Sequence, residues 1–311
     1  QMTNRVPGSV SKPSDPRQIV DAAFSLGENA VLARLLQQLT TQTPMLTGPG
    51  DDCAVVARDS EWDTLLKTDV VVENVHFTPD TLPERIGHKA LARAVSDIAA
   101  MGGLPEFALV TLLIHPGRSI ETAEGIYRGL NRLAARCGVS VAGGETSALP
   151  YDGIVINVAL TGRVERGRAI LRSGGRPGDI ICVSGPLGGS FPSGHHLDFT
   201  PRLSLARRLM EQGPRPTAMM DLSDGLGADL PRLAQAGGCG FNIRPDQLPL
   251  NPGCTPQQGI ADGEDYELLL TFDPQDFAQL PHDLRSTLYP IGTLTACATS
   301  ELTTGWQHFR N

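Results

Sequence analysis

A carboxylate stands inside a stretch that should be buried. From Leu65 the chain reads Leu-Leu-Lys-Thr-Asp-Val-Val-Val, a β-branched strand pattern interrupted by Asp69. A lone charge in such a run costs several kcal/mol, so Asp69 needs a cation beside it or a place at a strand end. Side chains alternate along a strand, which puts Lys67, Asp69, Val71 and Glu73 on one face and Thr68 on the other. Upstream, Gly48-Pro-Gly-Asp51-Asp52-Cys-Ala is a glycine turn carrying two adjacent carboxylates. A hard cation held by carboxylate oxygens would satisfy both groups, and Mg²⁺ characteristically shares such ligands with phosphates. Taken alone, Asp51 and Asp52 read as an ordinary turn.

The same arrangement recurs along the chain. Apolar residues at 31, 32, 35, 36 and 39 give a helical stripe from Glu28 to Leu39, and a second helix covers roughly 84–101 before Gly102-Gly103 stops it. Asp97 sits in that helix's last turn, against the dipole, where an ion pair with Arg93 is the plainer explanation. A strand at 107–114, a helix at 119–136 and a short strand at 139–142 lead to Gly143-Gly144-Glu145-Thr, and a strand follows at 154–164. Near Arg166 the composition turns to Arg, Gly and Pro, a domain junction. Beyond it, strands are expected at 179–184, 218–222, 240–243 and 268–272. Helices are expected at 203–212 and 226–236, with a polar loop at 191–201. The 218–222 strand feeds Asp221-Leu-Ser223-Asp224-Gly, and Asp262-Gly-Glu264-Asp265-Tyr-Glu267 precedes the last strand. Strands alternate with helices in both halves, so the fold class is α/β (α+β). Two domains are expected, at 17–164 and 165–311, after a disordered Pro/Ser-rich segment at 1–16.

Charge and cysteine content narrow the function. A net charge of −8 over 311 residues leaves no basic stripe for nucleic acid, although acids can bind a nucleotide through bridging metal ions. No apolar run approaches the ~20 residues that span a bilayer, and no signal-peptide pattern is visible. The six cysteines form no Cys-x-x-Cys pair and read as reduced residues of a cytoplasmic protein. Only 19% of residues are charged, yet acids keep recurring beside glycine at element ends. One site binding several Mg²⁺ ions and a polyphosphate explains them together. No Gly-x-x-x-x-Gly-Lys-[Ser/Thr] loop and no protein-kinase motif set is present. The spacing by itself leads to a metal-dependent nucleotide enzyme and no further.

Taken in order, these motifs resemble the thiamine-monophosphate kinase family, of the aminoimidazole ribonucleotide synthetase superfamily. The matching residues are Gly-Asp51-Asp52-Cys-Ala, Thr68-Asp69 with Val-His76-Phe, Lys89-Ala-Leu-Ala with Ser96-Asp97-Ile-Ala-Ala-Met-Gly, and Gly143-Gly-Glu-Thr. Further on they are Gly167-Arg-Ala with Leu-Arg172-Ser-Gly, Asp221-Leu-Ser-Asp-Gly-Leu, Gly263-Glu-Asp-Tyr-Glu-Leu and the closing Gly-Trp306-Gln-His-Phe.

The resemblance implies a two-domain fold whose N-terminal sheet dimerises, with ATP bound between domains as co-substrate. It also implies Mg²⁺-dependent transfer of the γ-phosphoryl group to thiamine monophosphate, giving thiamine diphosphate. By matched position it implies Asp52, Thr68, Asp69, Asp97, Glu145, Asp221 and Asp224 as metal ligands, with Asp69, Asp97 and Asp224 at the chemistry. Gly144, Glu145, Arg172 and Ser223 would meet ATP, and His76, Glu264 and Trp306 would meet thiamine monophosphate. A homodimer is expected too because the N-terminal strands are too few to close a sheet alone. Four positions depart from the pattern: Lys67 for Ser or Thr, Glu145 for Asp, Gly189 for an acid and Ala94 for Asn. The alternatives are another ATP-dependent superfamily enzyme with a different acceptor, or a nucleotide-binding protein without turnover.

Overall fold

The computed structural model describes residues 28–40 and 42–297. The expected disordered segment 1–16 and the candidate ligand Trp306 lie outside the described residues. The chain divides into two compact units. Residues 1–40 and 307–311 make one, whose described part is helix α1 (Glu28–Leu36), a turn shorter than its apolar stripe. Residues 41–306 make the other, which holds both sheets.

The first sheet contains β1 (Met45–Thr47), β2 (Ala54–Ala57), β3 (Trp62–Val72), β4 (Leu104–Ile114), β5 (Ser140–Ala148) and β6 (Ile154–Glu165). Its order is β1-β2-β3-β6-β4-β5, antiparallel except for the β4–β5 pair. β3 and β6 pair without a break from Trp62–Glu165 to Val72–Val155. Helices α2 (Pro83–Ala100) and α3 (Ile120–Cys137) accompany this sheet and touch backbone to backbone. A Cβ on Gly87 would lie 1.8 Å from the Ile126 carbonyl oxygen, and one on Gly129 would lie 1.8 Å from that of Glu84. Those two glycines are therefore required by close approach.

The second sheet contains β7 (Ile180–Val183), β8 (Ala218–Asp221), β9 (Gly240–Ile243), β10 (Leu268–Phe272) and β11 (Tyr289–Thr295), in the antiparallel order β8-β10-β7-β11-β9. Helix α4 (Ser190–Ser193), α5 (His195–Asp198) and α6 (Leu203–Gln212) follow β7, and α7 (Leu226–Ala236) follows β8. Three short helices complete it: α8 (Pro256–Ala261), α9 (Pro274–Gln279) and α10 (His282–Arg285).

α2 is the hub. It packs on β3, β4 and β6 of the first sheet and on β8 and α6 of the second half. Val95, Ile98 and Met101 of this region share one core with Cys182, Met219, Leu268 and Leu270. Polar side chains on α2 are thereby carried into the interior, and this positions the site.

Most expected elements stand where the pattern puts them; besides the early end of α1 and the unread helices α8, α9 and α10, three differences stand out. β5 runs on through Gly143-Gly144-Glu145 where a strand ending at 142 was expected. The expected polar loop 191–201 contains α4 and α5, each a single turn and too short to show a period. β11 went unread because its sequence, Tyr-Pro-Ile-Gly-Thr-Leu-Thr, carries a proline and a glycine. No helix among the described residues is long and apolar enough to cross a membrane.

Candidate active site

Three carboxylates from distant parts of the chain converge. Asp52 comes from the turn between β1 and β2, Asp97 from the last turn of α2 and Asp221 from the end of β8. One oxygen of each lies within 4.8 Å of the others, and all three residues are buried. Ser96 Oγ donates to Asp221 Oδ2 at 2.6 Å. Lys67 Nζ lies 2.9 Å from Asp97 Oδ1, and Arg172 Nη2 lies 2.5 Å from Asp52 Oδ1. Asp52 Oδ2 is buried without a hydrogen-bond partner. Next to it, Asp51 Oδ1 accepts the Arg172 backbone N–H at 2.7 Å.

Crowding shows in the protonation equilibria. Burial pushes Asp221 up to about 7, with Asp52 adding to the rise. Burial also holds Asp97 well above the carboxylate range, opposed by Lys67 and reinforced by Asp221, Asp69 and Asp52. An all-oxygen donor set, mutual repulsion and an orphaned buried oxygen together fit a hard divalent cation. Asp52, Asp97 and Asp221 are the residues that would hold it.

Asp69 lies beside this cluster but is engaged by Arg93, with contacts of 3.1 and 3.2 Å. Arg93 therefore does not pair with Asp97, and Lys67 takes that place. Asp224 follows β8 and accepts from Arg232 Nη1 at 2.5 Å. Its own N–H goes to Asp229 Oδ2 at 3.0 Å, and Arg232 also reaches Asp229 Oδ1 at 2.9 Å. Asp224 is thus tied into a pair of acids around one arginine and is not a member of the three-carboxylate group.

Two expected ligands are not brought in by their side chains. Thr68 projects from the opposite face of β3 and donates to Asn157 Oδ1 at 2.9 Å. Glu145 sits in the register row Val70–Asn157–Thr111–Glu145, also on that face, exposed and accepting the Thr146 N–H at 3.0 Å. Strand alternation is the reason for both. Gly144, one row over, has φ 156°, and a Cβ there would lie 1.8 Å from the Val110 carbonyl oxygen. Its lack of a side chain keeps β5 paired to β4.

The remaining expected ligands collect around Lys89. His76 is buried, and its Nδ1 accepts the Val72 N–H at 3.0 Å. Glu264 lies in a left-handed backbone conformation at φ 63°, its N–H donating to the Ser223 carbonyl at 2.7 Å. Lys89, wholly buried, donates to the His76 carbonyl at 2.6 Å and to Glu264 Oε2 at 2.5 Å. Tyr266, φ 51°, stacks on Phe199 with ring centroids 3.9 Å apart. Sequence reasoning used Lys89 only as a motif letter and passed over Asp229. The available signal was the spacing of Lys89, Arg93 and Asp97, four residues apart on one face of a helix that must be buried.

The other acids near Glu264 have private partners. Asp262 Oδ2 accepts the Gly189 N–H at 2.8 Å, and both Asp265 oxygens accept the Gly188 N–H, at 3.0 and 3.1 Å. Glu267 is clamped by Arg202 and accepts from Ser184 Oγ at 2.5 Å.

Residues 50–164 match the family model for the N-terminal domain of AIR synthase related proteins, and residues 176–304 match the one for their C-terminal domain. The chain is 35% identical over 263 residues to a thiamine-monophosphate kinase of Rhodopirellula baltica, covering 78% of this chain and 81% of the relative. It is 32% identical over 272 residues to the thiamine-monophosphate kinase of Bacillus subtilis, covering 78% and 83%. Its fold is similar to that of AaThiL complexed with AMPPCP and TMP, with TM-score 0.80, 30% identity, and coverage of 91% of this chain and 97% of that one.

Proposed function

The chain belongs to the thiamine-monophosphate kinase family of AIR synthase related proteins, and from that premise we propose that it moves the γ-phosphoryl group of ATP onto thiamine monophosphate, in line and with Mg²⁺, giving thiamine diphosphate. The observation that carries the metal-dependent part is the convergence of Asp52, Asp97 and Asp221 within 4.8 Å. When bound there, Mg²⁺ supplies charge neutralisation and a template for the phosphates. The chain's own residues do the rest. Lys67 and Arg172 offset part of the carboxylate charge before any ligand arrives, at 2.9 and 2.5 Å from their acids. Asp69 and Asp224 act beside these ligands, each held by an arginine. Arg172, Ser223 and the open backbone at Gly144 meet ATP, while His76 and Glu264 meet thiamine monophosphate. The acceptor is itself a phosphate, ionised near neutral pH, so no strong general base is needed and catalysis rests on positioning and electrostatics.

We assign residues 17–164 and 165–311 to two domains, a division supported by the extents of the two family models. We also propose a homodimer, a reading supported by the outer face of the first sheet. Leu46, Leu66, Val70, Phe107 and Leu109 are exposed, a set of large apolar side chains best covered by a second copy. Sedimentation of a monomer at micromolar concentration would count against this. Cys53, Cys137, Cys182, Cys239 and Cys254 form no disulfide, in keeping with a reducing cytoplasm.

The deciding experiment is ADP release with ATP and Mg²⁺, with and without thiamine monophosphate, across a panel of phosphorylated acceptors. Release that depends on thiamine monophosphate is expected. ATP binding without such release would make the chain a nucleotide-binding protein, and preference for another phosphate would replace the acceptor.

A further inference from the structure

We infer that Lys89 is a positioning residue of the acceptor side, one that fixes the His76 loop and the Glu264 turn relative to each other. The inference rests on the reading of His76 and Glu264 as the thiamine-monophosphate residues. Its observations are independent of that reading. The lysine has no exposed surface, and its ammonium bridges two chain segments 188 residues apart in number (264 − 76). On one side it holds the main-chain carbonyl of His76, just after β3. On the other it holds Oε2 of Glu264, in the loop before β10. The Phe191 ring lies 5.6 Å from the ammonium, closing the space around it.

Geometry explains why a charged strut is used. Glu264 has φ 63°, a conformation that side chains adopt only when their surroundings hold them. Its backbone is tied at two points, N–H to the Ser223 carbonyl and its own carbonyl accepting from Ser190 Oγ at 2.6 Å, and the ammonium ties its side chain. The lysine stem starts from α2, which packs against both sheets, so the reference point is rigid. Other charges facing the ammonium are Arg93 one turn along α2 and Asp69 on β3, with His196 of α5 nearby. Burial lowers Lys89 to about 8, and the Glu264 carboxylate opposes the fall. An apolar residue of the same length would fill the space without that cost. What it could not do is direct the His76 carbonyl and the Glu264 carboxylate to one point.

The test is a double-mutant cycle of Lys89→Met and Glu264→Gln, read as separate KM values for thiamine monophosphate and ATP and as kcat. Lys89→Met should raise KM for thiamine monophosphate about tenfold while KM for ATP moves less than about twofold. The double variant should be no worse than Glu264→Gln alone, because the lysine acts through that carboxylate. If Lys89→Met does not fold, the double variant, which buries no unpaired charge at this point, is compared with Glu264→Gln directly. Unchanged KM for thiamine monophosphate, equal losses for both substrates, or losses that multiply in the double variant would each overturn the inference. Wild type without turnover on thiamine monophosphate would instead overturn the substrate reading beneath it, which separates the two failures.

Discussion

Two acidic groups in this chain look alike in sequence and differ in the fold. Asp52, Asp97 and Asp221 stand beside glycine or at element ends, and so do Asp262, Asp265 and Glu267. In the first group the carboxylates face one another, and one buried oxygen has no partner. In the second each acid has its own donor: the Gly189 amide, the Gly188 amide, or Arg202 with Ser184. Burial raises Asp265 to about 7 much as it raises Asp221, so a displaced protonation equilibrium does not separate them. Convergence does. Although Arg172, Lys67 and Ser96 each engage one acid of the first group, those acids still meet at one point with a buried oxygen left over, whereas the acids of the second group share no such point and serve the fold.

The sharpest way to break this distinction is Asp97→Asn. The amide keeps shape and removes one of three charges that would hold Mg²⁺, so turnover should fall by roughly 10²-fold or more. Metal-free protein should melt no lower than wild type, because one of several repelling buried carboxylates is gone. Turnover near wild type, or a large drop in melting temperature without Mg²⁺, would contradict the reading of this group.

Glu267→Gln should do the reverse. Breaking its pairing with Arg202 leaves a guanidinium short of its partner, at a cost of about 2 kcal/mol given that Arg202 is partly exposed. Melting should drop with and without Mg²⁺ alike, while turnover of the folded enzyme well below the transition stays within about twofold. Loss of Mg²⁺ dependence in this variant would erase the contrast between the groups.

What was legible in advance follows the same division. Helices α6 and α7 and strands β9 and β10 fall on the expected residues, since strong periodicity and flanking glycine or proline mark them. Asp52, Asp97 and Asp221 could be singled out together because acids recur beside glycine at element ends in a chain with few charges. Thr68 and Glu145 are more instructive. Alternation along β3 already put Thr68 on the face away from Asp69, whereas motif matching put both in the ligand set; the fold follows alternation. Lys89 and Arg93 owe their roles to partners distant in sequence, Glu264 in the second half and Asp69 on β3, and no local pattern encodes which cation will meet which acid. Asp229 instead pairs with Arg232 three residues along α7, a helical spacing that could have been read. The short helices α4 and α5 likewise depend on packing, with His196 stacked on Phe191, more than on propensity.

The smallest expected effect concerns Lys67, one of the two cations that engage the crowded group. Lys67 Nζ lies 2.9 Å from Asp97 Oδ1, and although burial disfavours its charge, Asp97 and Asp69 raise its proton affinity above the ordinary lysine value. It therefore stays charged at working pH and competes with Mg²⁺ for Asp97. Unit charges about 4 Å apart interact by about 4 kcal/mol at an effective dielectric of 20, but the lysine is partly exposed and can swing aside, so most of that is relieved. Lys67→Ser should tighten Mg²⁺ binding about threefold to tenfold. It should also lower metal-free stability, because Asp97 loses its partner. The pH dependence follows from Asp221, whose folded value of about 7 exceeds the ordinary carboxylate value of 3.8. Between those values the folded state binds more protons than the unfolded one, so stability is present at low pH and lost as pH rises through about 7. His196, lowered to about 4 by burial, works in the opposite sense between 4 and 6.5. The raised Asp221 and Asp97 outnumber it. Metal-free Lys67→Ser should thus melt progressively lower from pH 5 to 8, more steeply than wild type, and Mg²⁺ should restore it at pH 8 but not at pH 5. Melting curves at the two pH values with and without Mg²⁺, beside a Mn²⁺ binding titration, decide the matter: an unchanged metal affinity and parallel pH profiles would mean that Lys67 merely lines the site and does not compete for it.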